Sequence, residues 1–183
     1  MEIPTLPRHE LLTKWQPVID KTFDIFTWTS GHELAFLCEL ASQAGKIVEI
    51  GAYHGKSAKC MALANPSAFL TVVDLAQDDR CRIIRNTNLL MDGIRVLEGT
   101  ARDNQTVIKA DGPYNLAFID GGHLEADVSL DISILLPLMA PGAIIAGHDW
   151  RHNNPLDGVN VAVEKAFDKH KIHVFESIWH VKL

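Results

Sequence analysis

Three cysteines in 183 residues, Cys38, Cys60 and Cys81, are too few and too scattered for a disulfide framework, and their spacing matches no zinc site. Buried free thiols are the expectation. Long apolar runs are missing too. The longest uncharged stretch, Ile132 to Gly147, falls short of the ~20 residues that span a bilayer, and Pro137 and Pro141 interrupt it. The opening "MEIPTLPRHELLTKW" has no apolar signal-peptide core. Basic charge is scarce: 17 Lys and Arg against 23 Asp and Glu give a net charge of −6, which argues against a nucleic-acid backbone as a main partner. The local run Arg80, Arg82 and Arg85 reads as the solvated face of a helix. Internal repeats and low-complexity tracts are absent as well. These absences lead us to expect a cytoplasmic protein whose partners include neither membrane nor nucleic acid.

What is present describes one globular domain over 1–183, with 47% apolar and 22% charged residues. Short β-rich apolar runs recur at 46–51, 69–75, 94–99, 115–120 and 142–149. Most are apolar throughout, as parallel strands covered on both faces should be. Helical patterns separate them. Ser30 and Glu33 stand at capping-box spacing before Leu34, Leu37, Cys38 and Ala41, with Gly45 as a stop. Further helices are expected over 55–64, 78–91, 124–139 and 157–170. Residues 1–29 read as a helical extension broken at Pro17, and 30–183 as the core. The last segment, "KIHVFESIWHVKL", reads as two short strands with a tight turn near Glu176-Ser177, so the sheet should finish antiparallel. The class is α/β, a doubly wound, mostly parallel sheet that binds ligands beyond the C-terminal strand ends.

"EIGAYHGKS", residues 49–57, nearly spells two phosphate-binding loops and satisfies neither. Gly51 and Gly55-Lys56-Ser57 are separated by three residues where a P-loop needs four. Tyr53 stands where a dinucleotide loop needs its second glycine, which also disfavours a nicotinamide-dependent oxidoreductase. What remains is Glu49, suited to an ammonium group, and a strand-to-helix turn whose free N–H groups suit a carboxylate. Alone the motif equally describes a structural glycine turn. Asp74 ends the next expected strand, where an acid can hold both hydroxyls of a ribose or simply cap a turn. Together the two sites describe a ligand with an amino-acid end and an unphosphorylated ribose. S-adenosylmethionine has both.

At this point the sequence resembles the class I S-adenosylmethionine-dependent methyltransferases, and within them the small O-methyltransferase branch with its macrocin and catechol types. The resemblance runs from about Ser30 to Leu183 and rests on "VEIGAYHGKS", "VVDL", "VLEGTARD", "AFIDGGH" and "LMAPGAIIAGHDW", in family order. It implies a Rossmann-like sheet of seven strands with the last antiparallel. It also implies that Glu49, Gly51 and Gly55, with Tyr53 and Ser57 nearby, line the methionine portion of the cofactor. Asp74 would hold the ribose, Thr100, Ala101 and Arg102 would border the adenine, and Asp120 would lie beside the cofactor.

Two acids, Asp120 and Asp149, end adjacent expected strands, each with a histidine close by in sequence, His123 and His148. Carboxylates with imidazole suit Mg²⁺, Mn²⁺ or a similar divalent metal. In the metal-dependent enzymes that this region resembles, the matching ligands are Asp120, His148 and Asp149. His148 replaces the usual acid, which lowers the negative charge offered to Mg²⁺. His123 matches the general-base histidine of the macrocin type, and the lysine of the catechol type is missing. A metal-free polar cluster is the alternative. The expected reaction is methyl transfer to a small hydroxylated acceptor, a sugar or natural-product hydroxyl. A non-catalytic nucleoside-binding or assembly module is the other reading, since folds alone do not carry function. Trp150, Arg151 and His152 sit on a candidate lid, while Trp15 and Trp28 either pack the N-terminal extension onto the sheet, the favoured expectation, or form part of a substrate roof. So short a chain has little material for a lid, so a homo-oligomer that completes the acceptor pocket is also expected.

Overall fold

The computed structural model describes residues 1–75, 82–83, 86, 93–151, 154 and 157–183. Most of the helix expected over 78–91, with Arg80, Cys81 and Arg85, lies outside the described residues, as does His152. Seven strands form one sheet: β1 (Lys46–Ile50), β2 (Phe69–Asp74), β3 (Ile94–Glu98), β4 (Tyr114–Ile119), β5 (Met139–Gly147), β6 (His173–Phe175) and β7 (Ile178–Lys182). Their order is β3-β2-β1-β4-β5-β7-β6. The first five run parallel, and β7 runs antiparallel to both β5 and β6. The strand order reverses at β1 and β4, where such sheets open a crevice at their C-terminal ends.

Helices cover both faces, which is why β1 reads as apolar without alternation. Ile47 joins the cluster under α1 (Arg8–Ile19), α2 (Gly31–Ala41) and α3 (Lys56–Ala64), with Leu11, Leu37, Met61 and Phe118. Val48 and Ile50 join Val128, Ile132, Val163 and Trp179, under α5 (Glu125–Leu135) and α6 (Gly158–Ala166). A seventh-strand tryptophan fits because the neighbouring strand has no side chain there: a Cβ on Gly147 would lie 2.5 Å from the Trp179 ring.

Several boundaries differ from expectation. Pro17 lies inside α1 rather than breaking it, because it falls in the last turn, where the missing N–H forfeits one bond before the helix ends. A short helix, α4 (Gln105–Asp111), was not expected at all. The helix expected over 124–139 stops at Leu135, passes through a 3₁₀ turn at Leu136–Leu138 and yields to β5, which begins three residues early, at Met139. Pro137 enforces the stop, and Gly142 at φ +73° accommodates the irregular pairing that starts at Tyr114–Met139. β5 then ends at Gly147, so His148 and Asp149 project beyond the sheet.

Candidate active site

The glycine loop is built by close approach. Gly51 sits at φ +81°, and a Cβ there would lie 2.2 Å from the carbonyl oxygen of Asp120. No other residue lets β1 and β4 end this close together. The loop is then tied to β2, since Asp74 Oδ2 accepts from the N–H groups of Ala52 at 2.7 Å and Tyr53 at 2.8 Å. Tyr53 holds a left-handed backbone at φ +51°, stacked on His54 with ring centroids 3.9 Å apart. Asp74 therefore braces the loop with one oxygen and lines a cleft of about 390 Å³, within the range of small-molecule sites. Gly51, Tyr53, Thr100 and Asp120 line it too, between apolar walls of Ile50, Val73, Leu75 and Leu130.

A second cavity, of about 410 Å³, shares Gly51, Tyr53 and Asp120 with the first. Ser57, His123, His148 and Asp149 line it, together with Thr27, Trp28 and Thr29 from the N-terminal extension. Trp28 is 81% exposed there, against the expectation of core packing, because the segment between α1 and α2 passes over the site rather than under it. Trp15 does pack, half-buried, with its indole N–H donating to Glu39 Oε2 at 2.7 Å.

Four expected cofactor residues line neither cavity. Ala101 is buried in the core, Arg102 faces solvent, and Gly55 caps α3 at φ +82° against Ile83. Of the three positions expected around an adenine, only Thr100 reaches the cleft. Glu49 is fully buried beneath the loop, and neither carboxyl oxygen has a hydrogen-bond partner among the described residues. Burial pushes its pKa up to about 8; the neighbouring Ser57 hydroxyl opposes the shift, and the charges of Asp120 and Asp74 add to it.

The catalytic end is a network of acids around two histidines. His123 Nε2 lies 3.1 Å from Asp149 Oδ2, and Asp149 is held at φ +63°, a strained backbone of the kind found at functional sites. His148 Nδ1 faces Asp149 Oδ2 at 3.3 Å and Asp120 Oδ1 at 3.6 Å. Its Nε2 meets Ser177 Oγ at 3.0 Å and Glu33 Oε2 at 3.4 Å. Burial favours neutral His148, but hydrogen bonds to Asp149 and Glu33 and the Asp120 charge prevail, raising its pKa to about 10. The surrounding acids thus favour the imidazolium form of His148. The same bond holds Asp149 below the usual carboxylate range, despite partial burial. Asp120 is pushed up to about 7 by burial, with His148 opposing and Asp149 and Glu33 adding to the rise.

Glu33 and Ser177 were not anticipated here. Glu33 makes the expected capping box, accepting from Ser30 N–H at 2.8 Å, and with its other oxygen accepts from the Ser177 N–H at 3.1 Å and from the Ser177 hydroxyl. Among the described residues, Asp120, His123 and Asp149 bring ligand atoms within 4.8 Å of one another, a grouping that contains two of the three expected metal ligands and His123 beside them.

A Rossmann-like sheet of this order, with a nucleoside-sized cleft at its switch point and an acid–histidine cluster beside it, defines the class I methyltransferase architecture. The family model for the methyltransferase domain matches residues 48–150, and the chain belongs to that family. Solved structures agree in fold. An O-methyltransferase from Bacillus cereus in complex with SAH is 18% identical, with a TM-score of 0.68 over 98% of this chain and 93% of that one. The O-methyltransferase TomG from Streptomyces achromogenes, in complex with SAM, gives 17% identity and a TM-score of 0.65 over 94% and 89%. MycE methyltransferase from the mycinamycin biosynthetic pathway, in complex with Mg and SAH, gives 16% identity and 0.64 over 98% of this chain and 55% of that one. No curated protein sequence matches the chain.

Proposed function

We propose that the protein transfers a methyl group from S-adenosylmethionine to a hydroxyl of a small acceptor. One observation carries this reading: the nucleoside-sized cleft and the cavity holding the Asp149–His123 pair meet at Gly51, Tyr53 and Asp120. The cofactor supplies an already activated methyl group on a sulfonium. The chain's residues have to bind, orient and take a proton. Asp74 offers its free oxygen to the ribose, and Asp120, which lines both cavities, lies where the sulfonium and ammonium charges would pass, with Glu49 buried beneath the loop. His123, with Nε2 3.1 Å from Asp149 Oδ2, is the group beside the acceptor that takes the proton of its hydroxyl, and the Asp149 charge favours the imidazolium so formed. Trp28 and Tyr53 form an aromatic wall for the acceptor's apolar face.

Metal assistance is the second reading, favoured by the convergence of Asp120, His123 and Asp149. A divalent ion held by these three would lower the pKa of a bound acceptor hydroxyl. The two uses of His123 exclude one another, because a neutral imidazole bound to an ion through one nitrogen carries its proton on the other and cannot accept a second. We place the proton on His123, since the His148 cation already stands between the two carboxylates. A cytoplasmic location belongs to the same reading, supported by the buried free thiols of Cys38 and Cys60. Among the described residues no helix is long and apolar enough to cross a membrane.

Calorimetry with S-adenosylhomocysteine, with and without Mg²⁺, tests the cofactor. One site per chain, lost in Asp74→Ala, is expected; binding of NAD in its place would refute the reading. A methyl-acceptor screen follows, and persistence of its hits in His123→Ala would remove the proton-acceptor role.

A further inference from the structure

Asp149 carries a left-handed backbone, φ +63°, which a residue with a side chain keeps only where its surroundings over-determine it. Its neighbours are tied on both sides. Before it, the His148 N–H donates to the Ile119 carbonyl at 3.0 Å. After it, the Trp150 N–H donates to the Ser177 carbonyl at 2.9 Å. One residue further on, the main chain of Arg151 meets Asn160 twice. The Arg151 N–H donates to Asn160 Oδ1 at 3.0 Å, and the Arg151 carbonyl accepts from Asn160 Nδ2 at 2.9 Å. The first two ties join main chain to main chain. The third depends on one side chain.

That side chain is out of keeping with its place. Asn160 lies in the first turn of α6, 3% exposed, beside Val159, Ala162 and Val163 of the apolar core. Packing alone would be served by another apolar residue, and a buried amide is costly unless its donor and acceptor are both engaged. Arg151 engages both. The Arg151 side chain is drawn to the same helix end, with Nε 3.5 Å from Asp157 Oδ2, and Asp157 caps α6 by accepting from the Val159 N–H at 3.2 Å. The start of α6 is therefore a fixed mount for the chain that leaves β5. Asn160 itself lines neither cavity.

We propose that Asn160 is a positioning residue for methyl transfer. By clamping the Arg151 main chain it holds Asp149 in the left-handed turn that keeps Oδ2 3.1 Å from His123 Nε2. The assignment rests on the methyl-transfer reading above. Asn160 touches neither cofactor nor acceptor and acts through Asp149 alone. Without the clamp, the turn relaxes toward ordinary backbone and the carboxylate leaves His123.

The experiment compares wild type with Asn160→Leu, which keeps the side chain's bulk but has neither donor nor acceptor, and with Asn160→Asp, which keeps an acceptor for the Arg151 N–H. Crystals with S-adenosylhomocysteine give the Asp149 φ and its separation from His123, and turnover of S-adenosylmethionine is measured with a panel of phenols and methyl glycosides. In Asn160→Leu the separation should exceed about 4 Å, the limit of an ion pair. Its kcat should fall about 10- to 100-fold, the scale of a misplaced catalytic group, with S-adenosylhomocysteine affinity within about twofold of wild type. Asn160→Asp should fall between the two. A merely structural role would reduce the amount of folded protein and leave kcat per bound S-adenosylhomocysteine unchanged. Hydrogen exchange in wild type tests the clamp without any variant: the Arg151 side chain is exposed, yet its amide should exchange at least about tenfold more slowly than an unbonded one. A freely exchanging Arg151 amide overturns the proposal. So does an Asn160→Leu protein that keeps the Asp149 turn and its contact with His123, or that keeps wild-type kcat. Failure of wild type to bind S-adenosylhomocysteine overturns the methyl-transfer reading and this assignment with it, whereas binding together with an intact pair in Asn160→Leu overturns the assignment alone.

Discussion

Removing Glu33 should cost far more than a helix cap. The side chains of Glu33 and His148 are 6% and 11% exposed, with Oε2 and Nε2 3.4 Å apart. Truncation to Ala leaves His148 with one counter-charge fewer in a partly dry site, and breaking such a pair typically costs about 3–5 kcal/mol. It also strips acceptors from the N–H groups of Ser30 and Ser177, the first of which water can reach at the exposed helix start. A lost cap by itself is worth about 0.5–2 kcal/mol. The ion pair therefore dominates, and we expect about 3–5 kcal/mol for Glu33→Ala in urea unfolding, read as a lower midpoint at unchanged slope. Glu33→Gln keeps the cap oxygen and should lose less. The decisive measurement is the double mutant with His148→Ala. Removing both charges together should leave a coupling of about 1.5–3 kcal/mol, whereas capping alone predicts additivity. A loss below about 1 kcal/mol in Glu33→Ala, or additive effects in the cycle, would refute the ion-pair account.

Three other outcomes follow from named contacts. Gly51→Ala places a methyl in left-handed backbone against the Asp120 carbonyl, so stability should fall by about 2–4 kcal/mol and S-adenosylhomocysteine binding should disappear; an unchanged melting temperature would contradict the close approach. His180 is buried, neither ring nitrogen has a hydrogen-bond partner among the described residues, and burial, with the His173 charge adding and the Ile178 backbone opposing, lowers its pKa to about 4. The unfolded chain takes up that proton near pH 6.5, so the stability involved is complete above about 6.5 and is lost as pH falls toward 4, about 3 kcal/mol in all. His180→Leu should flatten the wild-type slope over that window, and parallel curves would exclude the effect. Trp28→Ala should raise KM for the acceptor about tenfold with little change in kcat, because the wall contacts substrate and transition state alike; a fall in kcat alone would show that Trp28 orients the reacting atoms.

The central strands were legible because they are mostly apolar runs closed by a polar or glycine residue, a composition that burial under helices on both faces favours. Boundaries were less so. β5 was expected from residue 142, yet Gly142 lets the chain pair earlier through an irregular register. Gly51, Asp74 and Asp120 were found because strand order brings strand ends together, and the reach from sequence to site is short there. Glu33 was hidden by its own legibility: a capping box accounts for one carboxyl oxygen, and nothing local shows that the other meets Ser177, 144 residues away. Trp28 belongs to no periodic pattern, so its place over the second cavity depends on how the extension crosses the sheet.

Asp131, which lines the first cavity, was not singled out in the sequence, because which way its face of α5 turns depends on how the chain leaves β4. The close approach at Gly51 sits where the two cavities join. A substitution there should disturb nucleoside and acceptor binding together. Changes at Asp131 or Trp28 should separate the two, since each lines only one of the joined cavities.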